Sequence, residues 1–338
     1  MTGPDESLIV ERYRALLRVL PPSYRAEREE EMVAAFAEGV GDTEEERLGR
    51  PAPGETASVV ALAVRLWFGG LGAPPRLLAF GQTVRLFAVL GVLAQAVLAA
   101  AGALGLLTTV FFGSDEAREV LRTAYGESGS IDAAARVAWH LLDLLWVPVY
   151  VAVVRGHRRA ARLLAVLAAV PPLLRWAMPF VWPWHIVVLA LVTVLLPALA
   201  LAVAFHRDAP AVRPIGGLAA LPVGAVAVFA VPWLVPSLIP DPDGVCCWVA
   251  LGAGAVCLLR SRSSADGETG HRSAAVALYA TLVLIVRLSS ADAGDAVPYA
   301  DLIAYGQAAA LLVLACALAV RTAAGQPWRS QLRVARRR

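Results

Sequence analysis

The stretch from residue 86 to residue 112 contains no ionisable side chain, and this feature most restricts what the chain can fold into. A helix of about twenty apolar residues crosses the hydrocarbon core of a bilayer. Further apolar runs follow almost to the C-terminus. In all, 58% of the residues are hydrophobic and 17% are charged, with a mean hydropathy of +0.64. Because this composition exceeds what a soluble surface tolerates, the sequence predicts an all-α, polytopic membrane protein.

About eight apolar runs are predicted to be transmembrane helices, although the third and sixth are the weakest of them. The second contains His140 and Asp143, the third contains Arg175 and a Pro171-Pro172 break, and the seventh contains Arg287. The predicted spans cover residues 86–112, 137–154, 163–180, 186–205, 215–239, 245–259, 274–290 and 302–320.

Arginine placement tests this topology independently. All 30 basic residues are arginine, and cytoplasmic loops near span ends are enriched in positive charge. With the N-terminus inside, eight alternating spans place 17 arginines on the cytoplasmic side and 3 outside. The outer loops hold acidic residues, among them Asp243 in an Asp-Pro-Asp-Gly turn. We therefore predict a multi-pass protein of a bacterial cytoplasmic (plasma) membrane, with both termini cytoplasmic.

Residues 1–50 differ from the rest because they are charged and carry the apolar spacing of amphipathic helices. We expect Leu16, Leu17, Val33 and Phe36 to form a shared core in this cytosolic helical module. Residues 51–85 are interpreted as a hinge and a helix over 57–69, which is too short to cross a bilayer. Two interpretations of that helix stay open: an interfacial amphipathic helix with Trp67 near the headgroups, or the third core helix of the module. The transmembrane domain then covers residues 86–320, and a basic cytosolic tail covers 321–338.

Three N-terminal segments carry a family resemblance: residues 11–32 (ERYRALLRVLPPSYRAEREEEM), 63–70 (AVRLWFGG) and 72–76 (GAPPR). Over residues 8–85 the chain resembles actinobacterial polytopic membrane proteins with an N-terminal HTH-associated α-helical signalling-type domain. The resemblance implies a cytosolic helical module fused to membrane spans and a link to a transcriptional regulator. It carries over no catalytic residue, and this chain has no DNA-binding motif of its own.

Ionisable side chains at membrane depth are candidates for a functional site, because burying them in lipid is expensive. The predicted topology brings five of them to a similar depth toward the outer ends of the spans: His140, Asp143, Arg175, His185 and Arg287. One interpretation is a ligand or proton site that opens outward, in which Asp143 pairs with Arg175 or Arg287. The other is an ion pair that only holds helices together or reaches the headgroups.

The sequence contains no catalytic or metal-binding signature. HExxH, GxSxG and GxxxxGK[ST] are absent, and no two of the five histidines are spaced i, i+4. The four cysteines show no CxxC spacing. We therefore expect no enzyme activity, no cofactor and no metal.

The C-terminal tail is rich in arginine, with Arg333, Arg336, Arg337 and Arg338 following the last span. Basic clusters next to a span normally meet anionic lipid. We expect the bilayer and its anionic headgroups, and not nucleic acid, to be the partner of this tail.

Two functions fit these features. The first is a regulatory or signalling protein whose cytosolic module engages a regulatory protein while the spans act as sensor and anchor. The alternative is a small-solute transporter or permease-like protein that uses the polar cluster as its route. A carrier should place ionisable groups near mid-bilayer, whereas these lie toward one end, which favours the regulator.

Overall fold

The computed structural model describes residues 4–39, 51–125, 138, 141–177, 191–206, 209, 215–234, 242–260, 268–291 and 300–324. Every regular element within these ranges is helical, which confirms the predicted all-α class. The chain divides into two compact units. The first comprises residues 1–84 with 203–210, and the second comprises residues 85–202 with 211–338.

The first unit contains α1 (Pro4–Leu17), α2 (Pro22–Gly39) and α3 (Pro53–Trp67), together with the start of α4 (Pro75–Phe112). Apolar residues from all three short helices form one buried cluster, which Leu16 and Met32 contact from its edge. Its members are Ile9, Tyr13, Leu17, Leu20, Val33, Phe36, Val59, Ala63, Leu66 and Ala73.

Tyr13 links the three helices of the first unit. Its ring stacks on Phe36 of α2 with the ring centroids 4.0 Å apart, and its hydroxyl donates to Glu55 Oε1 of α3 at 3.1 Å. Burial and the adjacent Glu55 carboxylate both disfavour the phenolate, and they raise the pKa of Tyr13 to about 12. The hydrogen bond therefore persists across the physiological pH range.

Helix α3 begins and ends through specific residues. Pro53 occupies the start of the helix, where its missing N–H costs nothing. At the end, Gly69 has a φ of 75°, its N–H donates to Leu66 O at 3.2 Å, and the Gly70 N–H donates to Arg65 O at 2.7 Å. This is a Schellman C-terminus, which requires a residue that tolerates positive φ. The helix therefore starts before the predicted 57–69 and ends sooner, and its residues Val59, Ala63 and Leu66 lie in the module core.

The second unit contains the remainder of α4 and the other helices. They are α5 (Asp115–Tyr125), α6 (Trp146–Val154), α7 (Arg158–Ala177), a π-helix (Leu191–Leu195), α8 (Leu196–Ala204), a 3-10 turn (Gly217–Ala219), α9 (Ala220–Leu234), α10 (Pro242–Arg260), α11 (Glu268–Ala291) and α12 (Ala300–Ala324). The last two residues of α8 fall in the first unit.

Three helices among the described residues are long and apolar enough to cross a membrane: Pro75–Phe112, Gly270–Ser289 and Leu302–Ala323. They coincide with the first, seventh and eighth predicted spans. Within the described residues, the other five predicted spans do not reach this length and composition, so the structure supports three candidate spans and not about eight. Four of the five overlap the shorter apolar helices Leu141–Val154, Thr193–Ala204, Gly217–Val231 and Asp243–Leu259. The third corresponds to α7, whose ends carry arginines.

Among the described residues, local breaks in regular α-helix lie within or beside these segments. A turn at Leu144-Leu145 precedes α6, and a π-helix precedes α8. A 3-10 turn with positive φ at Gly216 and Gly217 precedes α9. Hydropathy averages over such breaks, because it measures the apolar content of a segment and not the continuity of its hydrogen bonds.

The core of the second unit forms where α10, α11 and α12 meet residues of α4. Small side chains are frequent in it, including Ala250, Ala280 and Ala315. Gly254 of α10 lies so close to Leu314 of α12 that a Cβ at this position would overlap the leucine side chain. Small residues allow helices to approach closely where lipid supplies no hydrophobic driving force.

Candidate functional site

The structure describes only part of the predicted polar cluster. His140 and His185 lie outside the described residues, as do Arg333, Arg336, Arg337 and Arg338 of the tail. Arg175 belongs to α7, but its side chain is not among those described. Asp143 is half-buried in the helical turn before α6, and Arg287 is buried in α11.

Arg287 forms an ion pair that the sequence did not predict. Its Nη1 lies 3.8 Å from Asp243 Oδ2, and each of the two side chains is only 8% exposed. Asp243 was expected in an outer loop, but it stands in the first turn of α10, directly after Pro242. Proline at the first helical position followed by an acidic residue is a common helix start, and this signal could have located it.

Two electrostatic interactions act on the Asp243 carboxylate. Arg287 supplies the opposite charge, and the positive end of the α10 dipole faces a carboxylate in the first turn. Burying two charges costs several kcal/mol per ion, which their mutual attraction offsets only when both are present. The pair therefore joins α10 to α11 at one end of the unit-two core.

Helix α11 carries buried polar side chains both before and after Arg287. Tyr279 is completely buried beside Cys246 and Cys247 of α10, and its ring meets Phe87 of α4 edge-on at 6.0 Å. The Ser289 hydroxyl donates to Ile285 O at 2.8 Å within its own helix. Tyr279 thus adds a polar side chain to the α10–α11 contact inside the apolar core, whereas the Ser289 hydrogen bond stays within α11.

A second polar contact joins α4 to the π-helix. The Gln95 side-chain amide donates to the Thr193 carbonyl at 3.3 Å. In an α-helix that carbonyl accepts from the N–H four residues later, but that residue is Pro197, which has none. Gln95 places a side-chain donor on this carbonyl, beside a proline that has no N–H of its own, and π-helical segments are frequent at functional sites.

Gly91 completes this junction. It lies one turn before Gln95 on α4, and a Cβ here would overlap the Pro197 ring. The pair Gly91 and Gln95 on one segment thus meets Thr193 and Pro197 on the other, with four-residue spacing on both sides. Sequence reasoning missed this junction, because a glutamine and a proline within uncharged runs give no charge signal.

A third contact joins α6 to the turn before α9. The Tyr150 hydroxyl donates to Gly217 O at 2.7 Å, and the side chains of Tyr150 and Trp146 are almost fully buried. Polar side chains thus join each of three short helical segments to another part of the second unit.

The described residues contain no group of three or more His, Cys, Asp or Glu side chains that could hold a metal ion. The cysteines they include form no disulfide bond. The described polar groups of the second unit join helices to one another. The expectation that the protein is not an enzyme stays a prediction.

Comparison with known proteins gives no assignment. No family model matches the chain, and no curated protein and no solved structure matches it significantly. The resemblance to HTH-associated signalling-type proteins therefore stays a prediction from the N-terminal segments.

Proposed function

We propose that this protein is a membrane-anchored regulator whose N-terminal module engages a cytosolic regulatory protein. The observation that supports this proposal is the separate core of the module, built by three helices of which α1 and α2 are rich in charge, on a chain whose other unit contains bilayer-length helices. A unit of this kind on the end of a membrane domain is suited to presenting a recognition surface. The resemblance of residues 8–85 favours a transcriptional regulator as that partner.

The charged faces of α1 and α2 suit such a partner. Arg14 pairs with Glu30 at 3.0 Å and Arg28 with Glu31 at 2.6 Å, and all four side chains are exposed. The adjacent carboxylate raises the pKa of Arg28 further, so this residue is always cationic. Exposed pairs contribute little to stability, and they can exchange partners at small cost.

Site-specific photo-crosslinking in living cells tests this proposal. A photoreactive residue at Ala35, exposed on α2, should give a discrete adduct with a cytosolic protein. The same residue at Val166, exposed on α7, serves as the matched control and should give none. The Ala35 adduct should disappear when Leu17→Asp disrupts the module. Absence of an adduct, or the same adduct from both positions, would refute the regulator.

We further propose that the shorter apolar helices lie in the bilayer with the three long ones, giving eight spans and cytoplasmic termini. Helix α7 supports this arrangement because it buries Ala161, Ala165 and Ala168, whereas Leu163 and Val166 are exposed by 69% and 61%. Leucine outside and alanine inside is the reverse of a soluble helix. The segment Asp243–Leu259 would extend about 25 Å, near the lower limit for a span.

Topology reporters measure this arrangement directly. A reporter that is active only outside should be active after Ser128 or Gly294, and silent after Gly156 or Gly267. The reversed signal at any one of these positions would exclude eight alternating spans.

A small-solute transporter is the second candidate, and the buried pair of Asp243 and Arg287 is the observation that favours it. Buried charges in a membrane unit mark substrate or proton routes in many carriers. Proteoliposomes loaded with a pH-sensitive dye should then lose an imposed proton gradient faster than protein-free vesicles that contain the same dye. The double variant Asp243→Asn with Arg287→Leu should return the leak to the empty-vesicle rate. Wild-type vesicles no leakier than empty ones would argue against proton-coupled transport.

A further inference from the structure

Helix α3 presents apolar side chains to solvent as well as to the core. Val60, Val64 and Trp67 are exposed by 44%, 37% and 42%, and their spacing of four and three residues places them on one side of the helix. The Trp67 indole N–H donates to Val19 O at 2.9 Å, which brings the exposed Val19 beside them. We call Val19, Val60, Val64 and Trp67 the outer face of the module.

We propose that this outer face docks on the anionic headgroup surface of the cytoplasmic leaflet. The first argument is the short tether. Leu71, 79% exposed, follows the face, and α4 begins at Pro75 and runs without a break into the uncharged stretch that starts at residue 86. Eleven helical residues extend only about 16 Å. The outer face is therefore held at a high effective concentration near the leaflet.

The second argument is charge. Arg18 adjoins Val19, Arg65 lies on α3, and Arg76 lies in the first turn of α4, and all three are exposed. The acidic residue of α3, Glu55, accepts a hydrogen bond from Tyr13 at the other end of the helix. Exposed arginines on the segments that carry or flank the apolar strip, with a tryptophan at its end, match the composition of interfacial helices on anionic membranes.

The third argument is size. A stable protein interface involves about 20 to 30 residues on each side. The outer face offers four side chains in a strip one helix wide, which is enough to enter a headgroup layer but small for a protein partner. A lipid surface is therefore the occupant that tether, charge and size favour together.

Fluorescence quenching in nanodiscs tests the proposal on the full chain. Cys246 and Cys247 are buried and out of reach of a polar dye, so Cys257→Ala and Cys316→Ala give a suitable background. A dye on Val64→Cys reports on the outer face, and a dye on Ala34→Cys, exposed on α2, is the matched control. The quencher is a nitroxide on the lipid headgroup.

In discs that contain phosphatidylglycerol, we expect at least twofold stronger quenching at position 64 than at position 34. The difference should decrease in pure phosphatidylcholine discs and with Arg18→Gln combined with Arg65→Gln. Slower hydrogen exchange of residues 57–67 in the unlabelled chain, again only in anionic discs, would support the same conclusion without a dye. Equal quenching at the two positions in anionic discs would overturn the proposal and assign the outer face to a protein partner.

Discussion

The two units are stabilised by burying different kinds of side chain. The module packs large residues, such as Tyr13, Leu17 and Phe36, and places its charges outside. The second unit packs many alanines, and large apolar residues such as Leu167 and Val313 are exposed. A module in water gains stability by removing large apolar surface from water, whereas helices in lipid gain it by close approach and by polar contacts. The same change should therefore act differently in the two units.

The largest expected effect is on the module core. Leu17→Asp places a charge at a completely buried position and should cost at least about 4 kcal/mol, enough to unfold a small domain. The change should increase proteolysis of residues 1–84 while the remaining chain stays membrane-inserted. Ala15→Asp, at an exposed position of the same helix, is the matched control and should change little. If both variants behave alike, the module has no independent core.

The ion pair of the second unit comes next. Asp243→Asn and Arg287→Leu should each lower stability by about 3 to 5 kcal/mol, since each removes one partner of a buried ion pair. The double variant should recover part of that loss in thermal unfolding in detergent. A parallel cycle with Asp143→Asn measures whether that carboxylate also couples to Arg287. If the two losses add up to the loss of the double variant, Asp243 and Arg287 have no coupling free energy.

Tyr13 gives an effect of intermediate size with a defined pH dependence. Its pKa is about 12 in the fold against 10 for a free phenol, so its contribution is complete below pH 10 and is lost as the pH rises toward 12. Tyr13→Phe should cost about 1.5 kcal/mol at neutral pH and remove this part of the alkaline loss. Hydrogen exchange of residues 4–39 between pH 7 and 11 measures both. An unchanged alkaline profile would mean that Tyr13 is solvated.

The smallest effect concerns the junction of α4 with the π-helix. Gln95→Leu should cost about 1 kcal/mol, the usual size of such bonds in membrane proteins. Pro197→Ala supplies an N–H four residues after Thr193, so the same Gln95→Leu change should cost less in that background. If Gln95→Leu costs the same in both backgrounds, the Gln95 hydrogen bond does not substitute for the N–H that Pro197 lacks.

Sequence reasoning succeeded where one physical signal dominates a long segment. The predicted spans 86–112, 274–290 and 302–320 lie within α4, α11 and α12, because long apolar runs permit few alternatives. It placed the intervening segments less well, because turns, prolines and a π-helix interrupt helices without changing their hydropathy.

The polar contacts were harder still to predict. Arg287 was identified as a candidate, but its pairing with Asp243 depends on which helix faces which, and a single sequence does not encode this locally. Gln95 and Thr193 are neutral and were not considered. For Asp143 and Arg175 the predicted roles stay predictions.

The order of synthesis gives the Asp243–Arg287 pair a consequence for how the protein enters the membrane. An unpaired arginine makes the insertion of a helix into the bilayer more costly, most of all near the helix centre. Asp243 leaves the ribosome before Arg287, and their helices α10 and α11 are consecutive in the chain. If the two helices insert together as a hairpin, the arginine meets its counter-charge before it meets lipid. In that case the segment that carries the charge and the segment that neutralises it enter the bilayer as one insertion unit.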